Sequence, residues 1–174
     1  ATVAAVRGAN EITLGAGKDT VVFVAGDAAS NASTIKDAVI GEDKIILTGT
    51  ANNTAALNVA ALGAITAGAY SNAFGTAHGF KLTGSTASDL SNLVQFGKQA
   101  VAATATTAAV AEVAYEAAAN KNLTTGSFND VVEVNSASAS GDINLGAGDD
   151  KITDATGYTG TITGGAGSDT FVIT

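Results

Sequence analysis

Cysteine, methionine, tryptophan and proline are absent from the 174 residues, and aromatic residues supply only 5% of them. Without cysteine the chain has no disulfide framework, no thiolate metal site and no cysteine nucleophile. Hydrophobic residues make up 46% of the chain, but many of these are alanine. We therefore expect one domain over residues 1–174, with a thin and finely packed core.

Basic residues are also scarce: 8 Lys and Arg face 16 Asp and Glu, which gives a net charge of -8. This charge repels nucleic acid and anionic membranes and attracts divalent cations. The most apolar stretch, residues 100–119, is rich in alanine and threonine and is interrupted by Glu112 and Glu116. We predict neither a nucleic-acid partner nor membrane insertion.

The sequence carries no recognisable catalytic motif. His78 is the only histidine, and no Gly-x-Ser-x-Gly elbow accompanies it. No Gly-Lys-Ser/Thr follows any glycine-rich phrase, as a phosphate-binding loop would require. We expect no enzymatic activity and no catalytic residue, with His78 on the surface or in packing.

One phrase occurs three times: residues 12–21 read ITLGAGKDTV, residues 143–152 INLGAGDDKI and residues 162–171 ITGGAGSDTF. Weaker echoes at residues 41–45 and 128–132 keep only the end of the phrase, around Asp43 and Asp130, and the aspartates Asp130, Asp150 and Asp169 follow one another at steps of 20 and 19 residues. Each phrase reads as a short strand, a tight glycine turn and another short strand. The phrases at the two ends are similar enough to predict that they share one sheet.

The turns themselves suit a cation. Glycine permits positive φ, so main-chain carbonyls can crowd one point, and the following aspartate adds a carboxylate. Hard oxygen ligands favour calcium over zinc or copper. The simpler alternative is a solenoid turn in which aspartate only accepts backbone N–H bonds, and we favour that turn role for Asp43 and Asp130, which lack the Gly-x-Gly.

These phrases resemble the Gly-Gly-x-Gly-x-Asp-x-apolar-x nonapeptide of the RTX proteins, secreted bacterial proteins whose repeats form a calcium-loaded parallel β-roll. Residues 164–172 match it completely, while leucine replaces the first glycine at Leu14 and Leu145. The resemblance implies that Asp150 and Asp169, one coil apart, share a calcium ion with turn carbonyls, and that Asp19 forms a less regular site. The glycines implicated are Gly15, Gly17, Gly146, Gly148, Gly165 and Gly167.

The middle of the chain differs from its two ends in its residue pattern. Residues 44–48 and 80–83 favour strands, whereas residues 87–119 carry small and apolar residues at alternating steps of three and four after a cap-like Thr86 and Asp89. We predict one or two helices there, with a break at Gly97 or at the threonines 104–107. A strand over residues 110–115 remains the alternative. The expected fold is mainly β, with short parallel β-roll or solenoid-like coils at both ends and an inserted helical segment at about 87–119.

The leading functional hypothesis is a structural, extracellular component of a bacterial cell surface, such as an S-layer or matrix protein, that is stabilised by calcium and self-associates into a lattice or filament. Its compositional basis is the richness in Ala, Thr, Gly, Asn, Ser and Val. Two alternatives are the C-terminal RTX secretion and folding module of a type I-secreted enzyme, and a segment of an adhesin. Because the chain opens at Ala1 without a signal-peptide pattern, we expect a fragment or a processed product.

Overall fold

The computed structural model describes residues 2–6, 10–24, 33–50, 57–58, 80–82, 90–117, 120, 122–135, 140–154 and 157–174. These residues form fifteen short strands. The strands are β1 (Thr2–Val6), β2 (Glu11–Ile12), β3 (Thr20–Val24), β4 (Ser33–Ile35), β5 (Lys44–Thr50), β6 (Leu57–Asn58), β7 (Phe80–Leu82), β8 (Val94–Phe96), β9 (Tyr115–Glu116), β10 (Leu123–Thr124), β11 (Val131–Glu133), β12 (Ile143–Asn144), β13 (Lys151–Asp154), β14 (Ile162–Thr163) and β15 (Thr170–Ile173).

The strands stack as a parallel β-solenoid of about five turns. One eight-stranded sheet runs in the order β1-β3-β5-β9-β11-β13-β15, with β8 paired beside β5. The chain returns between these strands through a second sheet, β14-β12-β10-β6, and a third, β2-β4-β7. All three repeated phrases feed strands of the same eight-stranded sheet, as the sequence predicts.

Alternation of side chains explains why these segments become strands. Val132 and Ile152 are neighbours in the first sheet and are fully buried, whereas the next residues, Glu133 and Thr153, are only half-buried. Period-two burial of this kind is what a pleated strand with one inward face requires. The expected strands at 44–48 and 80–83 are confirmed as β5 and β7.

The core lies between the sheets and is narrow. Branched aliphatic side chains such as Leu123 and Ile143 fill it from the second sheet. Aromatic residues enter at one level, where the rings of Phe96 and Tyr115 meet edge to face with their centroids 4.8 Å apart. Few large side chains are needed, because stacked coils bring two thin sheets close together.

Two strand positions of the solenoid are split. Beside β5, Ile45–Leu47 pair with β8, and Gly49 and Thr50 pair with β9. Similarly, β7 pairs with β4 while β6 pairs with β10, although β6 and β7 are consecutive along the chain. Insertions can therefore leave the coil in mid-strand and return to it without disturbing the stack.

The helix expected at about 87–119 was wrong for residues 90–117, which contain β8, β9 and an antiparallel hairpin over residues 97–114. Lys98 bridges Val113, Val101 bridges Val110, and the chain reverses at Thr104–Thr107. Alanine is common both in helices and in exposed β-hairpins. The spacing of small and apolar residues at steps of three and four therefore did not distinguish a helix from a hairpin. Thr86 and Asp89 lie outside the described residues.

The two expected helix breaks correspond to real features of this hairpin. Gly97 has φ of 70° where β8 ends, and the threonine cluster forms the turn. The strand alternative for residues 110–115 was closer to the structure. The coils also run through the described middle of the chain, rather than only at its two ends. Within the described residues no helix reaches the length and apolarity needed to cross a bilayer.

Candidate functional site

The three repeated phrases form turns of similar shape. Each leads from the second or third sheet into a strand of the first sheet: into β3 after Asp19, into β13 after Asp150 and into β15 after Asp169. All six glycines of the Gly-Ala-Gly turns have positive φ, between 81° and 132°. The conformation that the phrase predicts is thus present in every copy.

In the last two copies, glycine also permits close stacking of one turn on the next. A Cβ atom at Gly146 would overlap the carbonyl oxygen of Gly126, and one at Gly165 would overlap that of Gly146. The amide of Ala166 donates to Gly146 O at 2.9 Å, which ties the two turns together. The turn glycines are therefore required by backbone contact as well as by φ.

A row of aspartates runs along the inside edge of these turns, and we call it the aspartate ladder. It consists of Asp19, Asp43, Asp130, Asp150 and Asp169. Three ladder amides donate to the carboxylate of the next aspartate: Asp19 N to Asp43 Oδ1 at 3.0 Å, Asp130 N to Asp150 Oδ1 at 2.8 Å, and Asp150 N to Asp169 Oδ1 at 3.1 Å. The amide of Asp43 donates instead to the carbonyl oxygen of Val39 at 2.9 Å. Between the two groups, the amide of Phe96 donates to Asp130 Oδ1 at 2.7 Å.

The structure thus brings Asp150 and Asp169 together one coil apart and places Asp19 against Asp43, several coils away. Asp43 also accepts the amide of Val39 at 2.8 Å through Oδ2, which is the turn role expected of it. Asp130 is 0% exposed and stacks directly on Asp150. Its membership of the ladder was not predicted, because it lacks the Gly-x-Gly; the step of 20 residues was the available signal.

Three ladder carboxylates bury an oxygen that accepts no hydrogen bond of ordinary geometry: Oδ2 of Asp19, of Asp130 and of Asp150. The Thr125 hydroxyl and the Gly126 amide are still close enough to lower the pKa of Asp130 against the larger effect of burial. Burial raises the pKa of Asp130 to about 8, with the charge of Asp150 acting in the same direction. Burial also raises the pKa of Asp150 to about 6, assisted by Asp169 and Asp149. A buried carboxylate in this position favours a proton or a bound cation.

The carboxylate and carbonyl oxygens of the turns are donors that fit a hard divalent cation. The fit has a limit in the described part of the chain, where no three acidic, histidine or cysteine side chains converge on one point. Main-chain oxygens would have to complete any coordination shell. Gly146 O already accepts the amide of Ala166, so only its second lone pair is available.

A second row of polar side chains lies outside the same turns and was not predicted. Asp149 N donates to Asn129 Oδ1 at 3.1 Å, and Ser168 N donates to Asp149 Oδ1 at 2.9 Å. Asp149 is exposed, yet its carboxylate supports the next turn by accepting the amide of Ser168. At the opposite turns, Asp142 accepts the amide of Thr161 at 2.9 Å in the same way.

The first turn is held differently. Both carboxylate oxygens of Asp37 accept amides of the phrase, from Leu14 at 2.7 Å and from Gly15 at 2.8 Å. These two bonds hold the pKa of Asp37 below its usual value. The neighbouring Lys18 is exposed, so its ammonium can stay in solvent, away from the turn. His78 lies outside the described residues.

No protein-family model, no curated protein and no solved structure matches this chain.

Proposed function

We propose that this chain is a structural module of a bacterial cell-surface protein, located outside the cell, in which calcium orders the stacked turns and favours self-association. The observation that carries the proposal is the aspartate ladder, with Oδ2 of Asp130 and Oδ2 of Asp150 buried and unsatisfied in consecutive coils. An arrangement that concentrates buried carboxylates along one edge of a stack is stable only when their charge is neutralised. The resemblance to RTX repeats supports calcium as the neutralising ion.

The residues that would hold calcium are Asp150 and Asp169, with main-chain oxygens of Gly146, Gly148, Gly165 and Gly167. A further ion at Asp19, Gly15 and Gly17 would order the first turn. When bound, the ion supplies positive charge and no reaction chemistry. The carboxylates of the chain would orient the turns, and the hydrogen bonds from Asp130 N and Asp150 N would fix the spacing of the coils.

Self-association is supported by the last coil. Phe171 occupies the same inward position as Ile152, yet Phe171 is 47% exposed and Ile152 is 1% exposed. Ile173 is 81% exposed, and an apolar groove of about 300 Å³ runs between Tyr158, Ile162 and these side chains. The outer edge of β15 also carries main-chain groups that another parallel strand can pair with.

A second copy is the occupant that we propose, since β1 and β15 are the two edges of the described sheet and can pair in the same parallel sense. Further chain of the same protein after Thr174 is the alternative. Such a contact joins different surfaces of the two copies. It therefore propagates into a filament or lattice unless it closes on itself.

Electron microscopy and light scattering with calcium and with chelator test this function. We expect ordered assemblies in calcium and dispersed chains in chelator. Ile173→Lys places a charge on the edge and should abolish assembly, whereas Asn135→Lys, which adds the same charge at an exposed position after β11 in the middle of the stack, should not. A wild-type chain that remains monomeric at high concentration in saturating calcium would rule out the assembly role.

A further inference from the structure

A cleft lies between the base of the hairpin and the outer face of the first sheet. Its volume is about 430 Å³, and its polar lining includes Lys44, Lys98, Gln99, Ser127 and Asn129, with the ring of Phe128 beside them. None of the described residues that line it is acidic, although Glu42 and Asp43 line a neighbouring cavity that shares Lys44 and Phe128. This is notable in a chain that has twice as many acidic as basic residues.

The two lysines of the cleft differ from others on the surface. Lys36 pairs with Glu11, and Lys151 pairs with Glu112, each at 2.7 Å. Within the described part of the chain, Lys44 and Lys98 belong to no ion pair. Two ammonium groups without a carboxylate partner therefore share one cleft.

Lys44 is held in place by its surroundings. Its Nζ lies 4.4 Å from the centroid of the Phe128 ring, a distance typical of a cation–π contact. Burial lowers the pKa of Lys44, because the ammonium has lost part of its hydration. The charge of Asp130 acts on this ammonium in the opposite direction, but within the described part of the chain no carboxylate lies at ion-pair distance from Lys44 Nζ.

The uncharged polar groups of the cleft can also donate hydrogen bonds. Asn129 uses its side-chain oxygen to accept Asp149 N and its main-chain oxygen to accept Gln95 Nε2. Its side-chain NH₂ group can therefore donate hydrogen bonds to a ligand in the cleft, and the hydroxyl of Ser127 can donate a further one. The cleft presents donors over an extended area, so its ligand should carry many acceptor oxygens.

We propose that this cleft binds an acidic saccharide, with a carboxylate or sulfate group between Lys44 and Lys98 and sugar hydroxyls on Asn129 and Ser127. The volume falls in the usual range for small-ligand sites and suits one or two sugar rings. The ring of Phe128 offers an apolar surface to the C–H face of a sugar. This binding site is independent of calcium and of self-association, so either proposal can fail without the other.

The test uses a trimer of galacturonic acid as the acidic probe and the uncharged trimer of galactose as its control. Binding is measured by calorimetry at low ionic strength with chelator present, because salt screens exposed charges. We expect the acidic trimer to bind and the uncharged one to bind at least roughly tenfold more weakly, as loss of a charge-assisted contact implies. Lys44→Gln/Lys98→Gln should weaken the acidic trimer by a similar factor.

The matched control is Lys36→Gln/Lys151→Gln, which removes the same two charges from residues already in ion pairs. It should leave binding within about twofold of wild type, since neither lysine lines the cleft and each is already paired with a carboxylate. Equal weakening by both double variants would show general attraction to charge and overturn the site, as would absence of binding. Preference for a hexaglutamate peptide over the acidic trimer would also overturn the saccharide assignment.

Lys44→Gln removes a packed side chain, so each variant is first compared with wild type by circular dichroism and thermal unfolding. If the double variant does not fold, Lys98→Gln alone and Lys44→Arg carry the test. Lys98→Gln should weaken binding of the acidic trimer, and Lys44→Arg, which keeps the charge over Phe128, should preserve it. Unchanged binding in Lys98→Gln would contradict the proposal.

Discussion

Asp130 and Asp150 each use one carboxylate oxygen to accept a main-chain amide and bury the other without a hydrogen bond. An oxygen in that position costs about 1–3 kcal/mol if it stays unsatisfied, and more if the carboxylate is charged. In the absence of a cation, the proton is the simplest way to lower this cost. At the residue scale, protonation and metal binding therefore compete for the same ladder.

The first prediction concerns pH. The pKa of Asp130 is raised to about 8 and that of Asp150 to about 6, so the native state holds protons that the unfolded chain has released. The calcium-free protein should lose stability as pH rises from 5 to 9, on a scale of about 1.4 kcal/mol per pKa unit. Thermal unfolding in chelator measures this, and Asp130→Asn should remove most of the decline.

Asp142→Asn is the control for that experiment, because Asp142 also accepts a main-chain amide but is exposed. The decline should persist in this variant. A wild-type melting temperature that stays level or rises between pH 5 and pH 9 would mean that the ladder carboxylates are not buried as described.

The second prediction separates the two roles of the turn glycines. Gly146 and Gly15 have nearly the same φ, 81° and 85°, but only at Gly146 does an added Cβ meet another coil. Each alanine substitution should cost about 1–2 kcal/mol for the left-handed backbone. Gly146→Ala should cost a further ~1–3 kcal/mol from overpacking. Equal losses of unfolding free energy in denaturant titrations would contradict the close stacking of turns.

At the scale of elements, the hairpin over residues 97–114 shows how the solenoid accommodates an insertion. It leaves the coil at Gly97, returns at Tyr115 and is tethered to a later coil by the ion pair of Glu112 with Lys151 and by Gln99 Nε2 donating to Asp149 O. A half-exposed ion pair of this kind contributes about 0.2–1 kcal/mol. The hairpin therefore packs on the stacked coils. Its conformation depends on the coils more than the stability of the coils depends on the hairpin.

Shortening the hairpin tests this element. Joining Val101 to Val110 through Asn-Gly keeps both cross-strand bridges and supplies a favoured two-residue turn. We expect an unchanged far-ultraviolet circular dichroism spectrum and a melting temperature within about 5 °C of wild type, since few contacts are lost. A marked loss of helical signal on shortening would restore the helix that the sequence suggested.

The strands and the turns differ in how far the sequence predicts them. Strands such as β3 and β5 were recognisable because β-branched residues follow a turn signal, and the resemblance to RTX repeats placed Asp150 and Asp169 one coil apart. The hairpin was missed because local spacing cannot reveal that residues 94–96 and 115–116 complete one strand position. The outer row through Asn129 and Asp149 was missed because its residues look like ordinary surface groups until the coils are stacked.

At the scale of the whole molecule, a net charge of -8 opposes both folding and packing of copies. The solenoid places part of that charge in register, because identical turns in successive coils bring their carboxylates together. Hydrogen bonds along the ladder hold the spacing but do not remove the charge. A divalent ion bound in the turns would neutralise this charge. We therefore propose that calcium stabilises the fold, orders the turns and promotes assembly.

Calorimetric titration of calcium into the chelator-washed chain at pH 8 is the most direct test of this account, comparing wild type with Asp169→Asn and Asp142→Asn. Both variants keep a side-chain oxygen that can accept an amide, and each loses one charge, but only Asp169 belongs to the ladder. We predict saturable binding by wild type and Asp142→Asn, and binding at least roughly tenfold weaker in Asp169→Asn, because a charged hard ligand is lost. No saturable heat from the wild-type chain at millimolar calcium, or equal affinity in both variants, would contradict the central claim.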